Sequence, residues 1–240
     1  MRARTFARLG TVLAGAAISA LAFAGTVQAA GSGTIKVPSD FNPALSDTRA
    51  TGHYEVVGDA LHIWTEGNTS TDKVAEYVNT DTPLADVGEP SLEYTNNGGG
   101  APGFQLVVDF DGDGTNDGIL VGEPGSYGND WWLNNAAAQF VKDGAPSHSG
   151  GSGSANHGTL DQWRAAFPDA NVTAYGFSLG SGVKGDGVIE AINFAGTRYT
   201  FAQSVVLTSK DQCKKDGWKT SDAPVFKNQG DCVSSFASAK

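Results

Sequence analysis

One short segment, residues 108–118, constrains this chain more than any other. It places four aspartates within nine residues, Asp109, Asp111, Asp113 and Asp117, with glycines between them. Carboxylates at this density repel one another unless a cation neutralises them. Ca²⁺ prefers such hard oxygen ligands and takes about six to eight of them. Because apolar runs at 104–110 and 119–121 flank the segment, we predict two strands joined by a Ca²⁺-binding loop.

The N-terminal residues have the pattern of a secretory signal peptide. Arg2, Arg4 and Arg8 precede an apolar, alanine-rich run at 11–27, and residues 27–29 fit the small-x-small cleavage rule. The run is short for a membrane span, and no second long apolar run follows. We therefore predict a signal peptide at 1–29, a secreted, extracellular protein, and no transmembrane segment in the mature chain.

The charge of the mature chain restricts its partners. The whole sequence has a formal net charge of −10, and residues 1–29 hold three basic and no acidic residues, which leaves 13 basic against 26 acidic residues. Strong acidity argues against nucleic acid and anionic membranes as partners. The mature length suits one substantial domain, predicted at 30–208, with a small appendage at 209–240.

The appendage contains the two cysteines of the chain, Cys213 and Cys232. A disulfide between them is the default in an oxidising compartment. Closing a loop of this length stabilises the unit by roughly 3 kcal/mol in the chain-entropy model. No CxxC pair or histidine ligand lies nearby, so a metal site at these cysteines is not expected.

Strand patterns dominate the rest of the chain. Leu61 and Ile63 alternate with His62 and Trp64 in the period of a half-buried strand. The predicted strands lie at 54–57, 60–65, 73–78, 104–110, 119–121, 172–178, 188–194, 198–201 and 205–208. At 73–78 the spacing of Val74, Tyr77 and Val78 also allows a helix. Glycine-rich loops are expected at 96–103 and 144–158. Many short strands with such breaks predict a mainly β fold, a jelly-roll-like β-sandwich.

A single short helix is expected after Thr159. Gln162, three residues later, completes a capping box. Leu160, Trp163 and Phe167 fall on one face of this helix. We assign Trp163 and Trp64 to the core, and Trp218 to the interior of the disulfide-closed unit.

Two resemblances extend this interpretation. The residues Cys213-Lys214-Lys215-Asp216-Gly217-Trp218 and 226–233 form a CKxxGW…FKNQGDCV pattern that resembles the tail of uncharacterised secreted bacterial β-sandwich proteins. This resemblance implies export and a small disulfide-linked unit, but no activity. The aspartate segment is similar to the calcium loops of integrin-type FG-GAP repeats. That similarity implies coordination by the four aspartate carboxylates and by the main-chain carbonyl of Thr115.

The segment 176–180, GFSLG, matches the G-x-S-x-G nucleophile elbow of serine hydrolases. The elbow needs a helix directly after Ser178 and a downstream histidine. Residues 181–187 are typical of a turn, and all four histidines precede Ser178. His148 and His157 lie in a Gly/Ser loop, where solvated side chains are expected. We therefore predict a protein without enzymatic activity. A less favoured alternative is glycoside hydrolysis, for which the candidate carboxylates are Glu66, Glu76, Glu89, Glu123 and Glu190.

The best candidate binding site is the segment 127–135. Tyr127, Asn129, Asp130, Trp131 and Trp132 combine aromatic faces, which stack on sugars, with polar groups that orient them. On a strand the two tryptophans point to opposite faces, so we expect one in the core and one facing outward. The sequence thus favours a non-catalytic protein that binds carbohydrate or a cell-envelope glycan, with structural calcium. The alternative is a structural or protein-interaction protein without a sugar site.

Overall fold

The computed structural model describes residues 31–150 and 153–237, so the predicted signal peptide lies outside the described residues. The strands are β1 (Gly31–Val37), β2 (Gly52–Val57), β3 (Ala60–Thr65), β4 (Lys73–Pro83), β5 (Ser91–Gly99), β6 (Gly103–Asp109), β7 (Gly118–Gly122), β8 (Asp130–Leu133), β9 (His157–Thr159), β10 (Asn171–Gly180), β11 (Gly185–Phe194) and β12 (Thr197–Gln203). The α-helices are α1 (Pro124–Tyr127), α2 (Gln139–Asp143), α3 (Leu160–Ala166) and α4 (Gln229–Ser235), and short 3-10 turns lie at Leu84–Asp86 and Gly217–Thr220.

The strands form two six-stranded sheets. In sheet A the pairing path runs β2–β3–β11–β12–β1. Strand β5 lies off this path and pairs with β11 along residues 185–193. Sheet B has the order β4–β10–β6–β7–β8–β9. Neighbouring strands are antiparallel except β1 and β12, which run parallel.

The main core lies between the two sheets. Leu61 and Ile63 of β3 belong to one buried cluster with Leu106 of β6 and Phe177 of β10, and all four are fully or almost fully buried. Burying side chains of this size stabilises the fold by about 1.5–3 kcal/mol each relative to exposure. The predicted mainly β sandwich is therefore confirmed.

Strand β6 is buried on both faces. Phe104, Leu106 and Val108 point into the main core, so the period of two places Gln105 and Val107 on the outer face of sheet B. Val107 packs there in a second, smaller cluster with Ala75, Tyr77 and Ala174, against which Leu45 lies. The outer face of sheet B is therefore partly covered, whereas its β7–β8 side borders the cavities described below.

The predicted helix is confirmed as α3. The Thr159 hydroxyl accepts a hydrogen bond from the Gln162 backbone, and the Gln162 side chain accepts one from the Thr159 backbone, which completes the capping box. Leu160 and Trp163 are buried, as predicted. The indole Nε1 of Trp163 donates to the main-chain carbonyl of Trp131 at 3.0 Å. This helix therefore supports β8 from the core side.

Several local predictions are wrong. Residues 205–208 form no strand, and β5 continues through 96–99, where a glycine-rich loop was expected. Trp64 is not a core residue, because it lies half-buried on the face of β3 opposite Leu61 and Ile63. Its ring stacks on His53 and His62, with centroids 4.9 and 4.5 Å away. The prediction did not include strands β1, β5 and β9 or the three helices other than α3, and it anticipated β8 only through the alternation of Trp131 and Trp132.

The C-terminal unit has its own small core, and the predicted Cys213–Cys232 disulfide is confirmed. Both cysteines are fully buried in a cluster with Leu207 and Phe226. Trp218 is partly buried against this cluster, as expected. The cross-link therefore lies at the centre of the unit's only apolar cluster among the described residues.

Candidate functional site

The aspartate-rich loop connects β6 to β7 as a hairpin. Asp109, Asp111 and Asp117 each direct a carboxylate oxygen to a common point, with all three oxygens within 4.8 Å of one another. Asp113 is not part of this converging group. Gly112 and Gly114 have φ angles of +77° and +89°, a region that L side chains rarely adopt. These glycines allow the tight wrap that brings the carboxylates together.

Backbone amides hold these carboxylates in place. The two oxygens of Asp109 accept hydrogen bonds from the amides of Gly112 and Gly114, each at 2.8 Å. Asp117 accepts one from the Phe110 amide at 2.8 Å. Asp113 accepts one from the Thr115 amide at 2.7 Å. These hydrogen bonds from backbone amides orient the carboxylates of the loop.

The electrostatics of the loop are unfavourable without a cation. Burial raises the pKa of the Asp117 carboxyl, and the negative charges of Asp111, Asp109 and Asp113 raise it further, against a lowering by the hydrogen bond from Phe110. A raised pKa means that the charged form is disfavoured at this position. A bound cation would reverse this preference.

The paired tryptophans of β8 face opposite sides of sheet B, as the strand period predicts. Trp131 is 7% exposed and packs edge-on against Phe104, with centroids 5.9 Å apart. Trp132 is half-buried on the outer face, and its Nε1 donates to Glu123 Oε2 at 3.3 Å. Trp131 is therefore a core residue, and Trp132 is the member of the pair that faces outward.

Trp132 lines two neighbouring cavities. The smaller has a volume of about 250 Å³ and is lined by Ser126, Tyr127, Asp130, Trp132, Gly150, Gly153 and His157. It shares Ser126, Tyr127 and Trp132 with a groove of about 1320 Å³, which also borders Asn129, Trp131 and Glu123. Each of the five residues that the sequence nominated for ligand binding thus lines one of these cavities.

His157 was expected to be solvated but is held between two acceptors. Its Nδ1 lies 2.8 Å from Asp130 Oδ2, and its Nε2 lies 2.8 Å from the carbonyl oxygen of Ser149. A neutral imidazole has one N–H, so only the protonated ring donates to both oxygens. The Ser149 carbonyl and Asp130 accordingly raise the pKa of His157.

Glu123 lines the larger groove and is the second residue that sequence reasoning did not place at this site. It follows β7 directly and is half-buried. Burial raises the pKa of its carboxyl, against a lowering by the hydrogen bond from Trp132. The sequence did not indicate the contact between Glu123 and Trp132, which lies nine residues later. This contact depends on the turn between β7 and β8.

Ser178 of the GFSLG segment lies inside β10 and is buried. Its hydroxyl donates to the carbonyl of Gly180 at 3.4 Å. The next element after β10 is strand β11, not a helix. The segment therefore lacks the strand–turn–helix geometry that a nucleophile elbow requires.

Fold and site together describe a β-sandwich with an aromatic, carboxylate-bearing pocket on the outer face of one sheet. Comparison of the chain with protein-family models, curated proteins and solved structures finds no significant match. Among residues 31–150 and 153–237, no helix has the length and apolar character needed to cross a bilayer.

Proposed function

We propose that this protein is a secreted, non-catalytic carbohydrate-binding protein whose binding site is the pocket at Trp132. One observation supports this proposal: on β8, Trp131 is buried in the core, whereas Trp132 lines a pocket edged by polar groups. An aromatic wall with a few oriented polar side chains is the usual chemistry of sugar recognition.

The pocket supplies both kinds of contact that a sugar ring needs. Tyr127 and Trp132 contribute aromatic side chains to the pocket lining, and Asp130 offers a carboxylate whose position is fixed by His157 at 2.8 Å. A Cβ on Gly153 would lie 2.5 Å from the Trp132 ring. The loop therefore packs closely on the indole and fixes its orientation, which lowers the entropy lost when a ligand binds.

Calcium enters this proposal as a structural ion. The proposed ligands are those implied by the loop sequence, with the converging oxygens of Asp109, Asp111 and Asp117 as the geometric support. Glu123 lies six residues after Asp117, at the other end of β7, which is about 20 Å along an extended strand. This separation favours an ion that braces the hairpin over one that bridges directly to the sugar.

The test compares three tryptophan variants on immobilised polysaccharides. Trp132→Ala should keep the fold and lose retention, because Trp132 contributes to the pocket wall. Trp131→Ala should instead unfold or strongly destabilise the protein, since truncating a buried tryptophan costs about 3–5 kcal/mol.

Trp64→Ala is the matched control, because Trp64 is also a half-buried outward tryptophan but lies on sheet A. It should leave retention unchanged. Retention that survives Trp132→Ala would contradict the proposed site. If the intact protein retained no glycan, the remaining possibility would be a protein-interaction role.

A further inference from the structure

Glu123 lines the larger groove and contacts Trp132, which lines both cavities. Its Oε2 accepts the hydrogen bond from Trp132 Nε1 at 3.3 Å, while Oε1 has no hydrogen-bond partner among the described residues. A Cβ on Gly103 would lie 2.8 Å from the Glu123 Cγ, so the side chain packs closely on the β6 backbone. The carboxylate is thus partly desolvated and held in one position beside an indole ring.

The charge of Glu123 is not compensated by the protein. No lysine, arginine or histidine of residues 31–150 and 153–237 lies within ion-pair distance of it, whereas other charged groups on the two cavities are paired. These pairs are Lys73–Asp47 at 3.0 Å, His157–Asp130 at 2.8 Å, Arg164–Glu89 at 3.1 Å and Arg164–Asp161 at 2.6 Å. Among the described residues that line the two cavities, Glu123 is therefore the one carboxylate without a cationic partner.

A partly desolvated carboxylate without a paired cation is a strong acceptor for an organic ammonium group. Glu123 can form charge-assisted hydrogen bonds with the N–H groups of such a cation through Oε1, while the indole N–H of Trp132 holds its other carboxylate oxygen in place. We infer that Glu123 and Trp132 form a subsite for a protonated primary amine on a glycan, so that the ligand is a polysaccharide containing deacetylated amino sugars. This inference rests on the proposed function and specifies its ligand.

The groove favours a chain over a single sugar. Its volume of about 1320 Å³ exceeds the range of about 300–1000 Å³ that is typical of small-molecule pockets. The absence of a paired cation at Glu123 also disfavours polyanionic glycans, because their charges would meet a carboxylate in a partly desolvated site. An extended, neutral to cationic polymer fits both features.

A lysine side chain has the same ammonium chemistry, so a basic peptide is the competing ligand. Peptide recognition usually relies on an exposed sheet edge, an apolar groove or a proline-binding surface. At this site the edge strand β9 is bridged by Ser147 at the position of His157. Because this bridge occupies the edge of β9, a peptide cannot add a strand there, which favours the glycan.

The test measures binding of a glucosamine oligomer and of the matched N-acetylglucosamine oligomer by calorimetry, in weakly acidic buffer where the amine is protonated. The intact protein should prefer the amine form by on the order of tenfold to a hundredfold, as a charge-assisted contact implies. Glu123→Gln should abolish this preference and leave binding of the N-acetylated oligomer unchanged. Glutamine still accepts the bond from Trp132, and a melting curve verifies its fold.

Glu89→Gln is the matched control, because Glu89 borders the same groove but pairs with Arg164. It should keep the preference. Equal binding of both oligomers to the intact protein, or a preference that survives Glu123→Gln, overturns the ammonium subsite and leaves the proposed function standing. If no glycan binds but a lysine oligopeptide does, and Glu123→Gln removes that binding, both the glycan ligand and the proposed function are wrong.

Discussion

Calcium should raise the free energy of unfolding of this protein, and the geometry of the aspartate-rich loop indicates by roughly how much. Three converging carboxylates, one of them buried, resemble the ligand supply of extracellular modules, whose Kd values lie at about 10⁻⁴ to 10⁻³ M. At about 10 mM Ca²⁺ and a Kd of about 10⁻⁴ M, binding to the native state alone contributes about 2.7 kcal/mol. For a domain of this size that energy corresponds to a rise of about 5–11 °C in Tm.

The assay is a thermal melt followed by circular dichroism, with EDTA and with Ca²⁺. Asp111→Asn should reduce the calcium-dependent rise to about half or less, because a tenfold weaker Kd leaves about 1.4 kcal/mol. Asn retains the side-chain oxygen that accepts the Asp113 amide at 3.2 Å, so the turn should persist. In EDTA this variant should melt no lower than the intact protein, since a repulsive charge is gone.

Asp113→Asn is the matched comparison, because Asp113 is exposed like Asp111 but lies outside the converging group. If the geometry of the loop identifies the ligands, this variant should keep most of the rise. If it loses the rise as Asp111→Asn does, Asp113 is a ligand as the FG-GAP similarity implies. Superimposable melts of the intact protein in EDTA and in Ca²⁺ would falsify the calcium site altogether.

Two further predictions concern stability. Reducing the Cys213–Cys232 bond, whose cysteines are 19 residues apart, should destabilise the C-terminal unit by roughly 3 kcal/mol, visible as earlier proteolysis at 209–237 with the sandwich intact. His157 gains two acceptors on folding, so its pKa is raised and its contribution to stability is present below about pH 6.5 and lost as the pH rises through the folded-state value. His157→Gln should flatten the fall in Tm above that pH, and an unchanged pH profile would show that the Asp130 and Ser149 contacts do not matter.

Local sequence signals predicted local structure well. The Thr159–Gln162 capping box involves residues that are three apart, and it fixed the start of α3. The two faces of β8 followed from the strand period alone, which separated Trp131 from Trp132. The same period placed Trp64 opposite Leu61 and Ile63, and assigning it to the core was wrong because the size of the side chain was given more weight than the alternation.

Features that depend on contacts between distant segments were missed. Strand β5 ends in Asn-Asn-Gly-Gly, a sequence typical of a loop, and becomes a strand because its backbone pairs along almost the whole of β11. Glu123 and His157 join the pocket only after β7, β8 and β9 are aligned. A single sequence carries no record of such alignments, so the positions of the Glu123 carboxylate and the His157 imidazole in the site could not be predicted.

Because burial alternates along the four residues of β8, two positions are sensitive to substitution and two face outward. Trp131 and Leu133 are locked into the interior, where almost any exchange endangers folding. Asp130 and Trp132 lie on the other side of the same backbone, so Trp132 can be replaced without repacking the interior, whereas a replacement of Asp130 also removes its contact with His157. If the proposed function is right, a library randomised at Trp132 would change ligand preference while the core of β8 stays as it is.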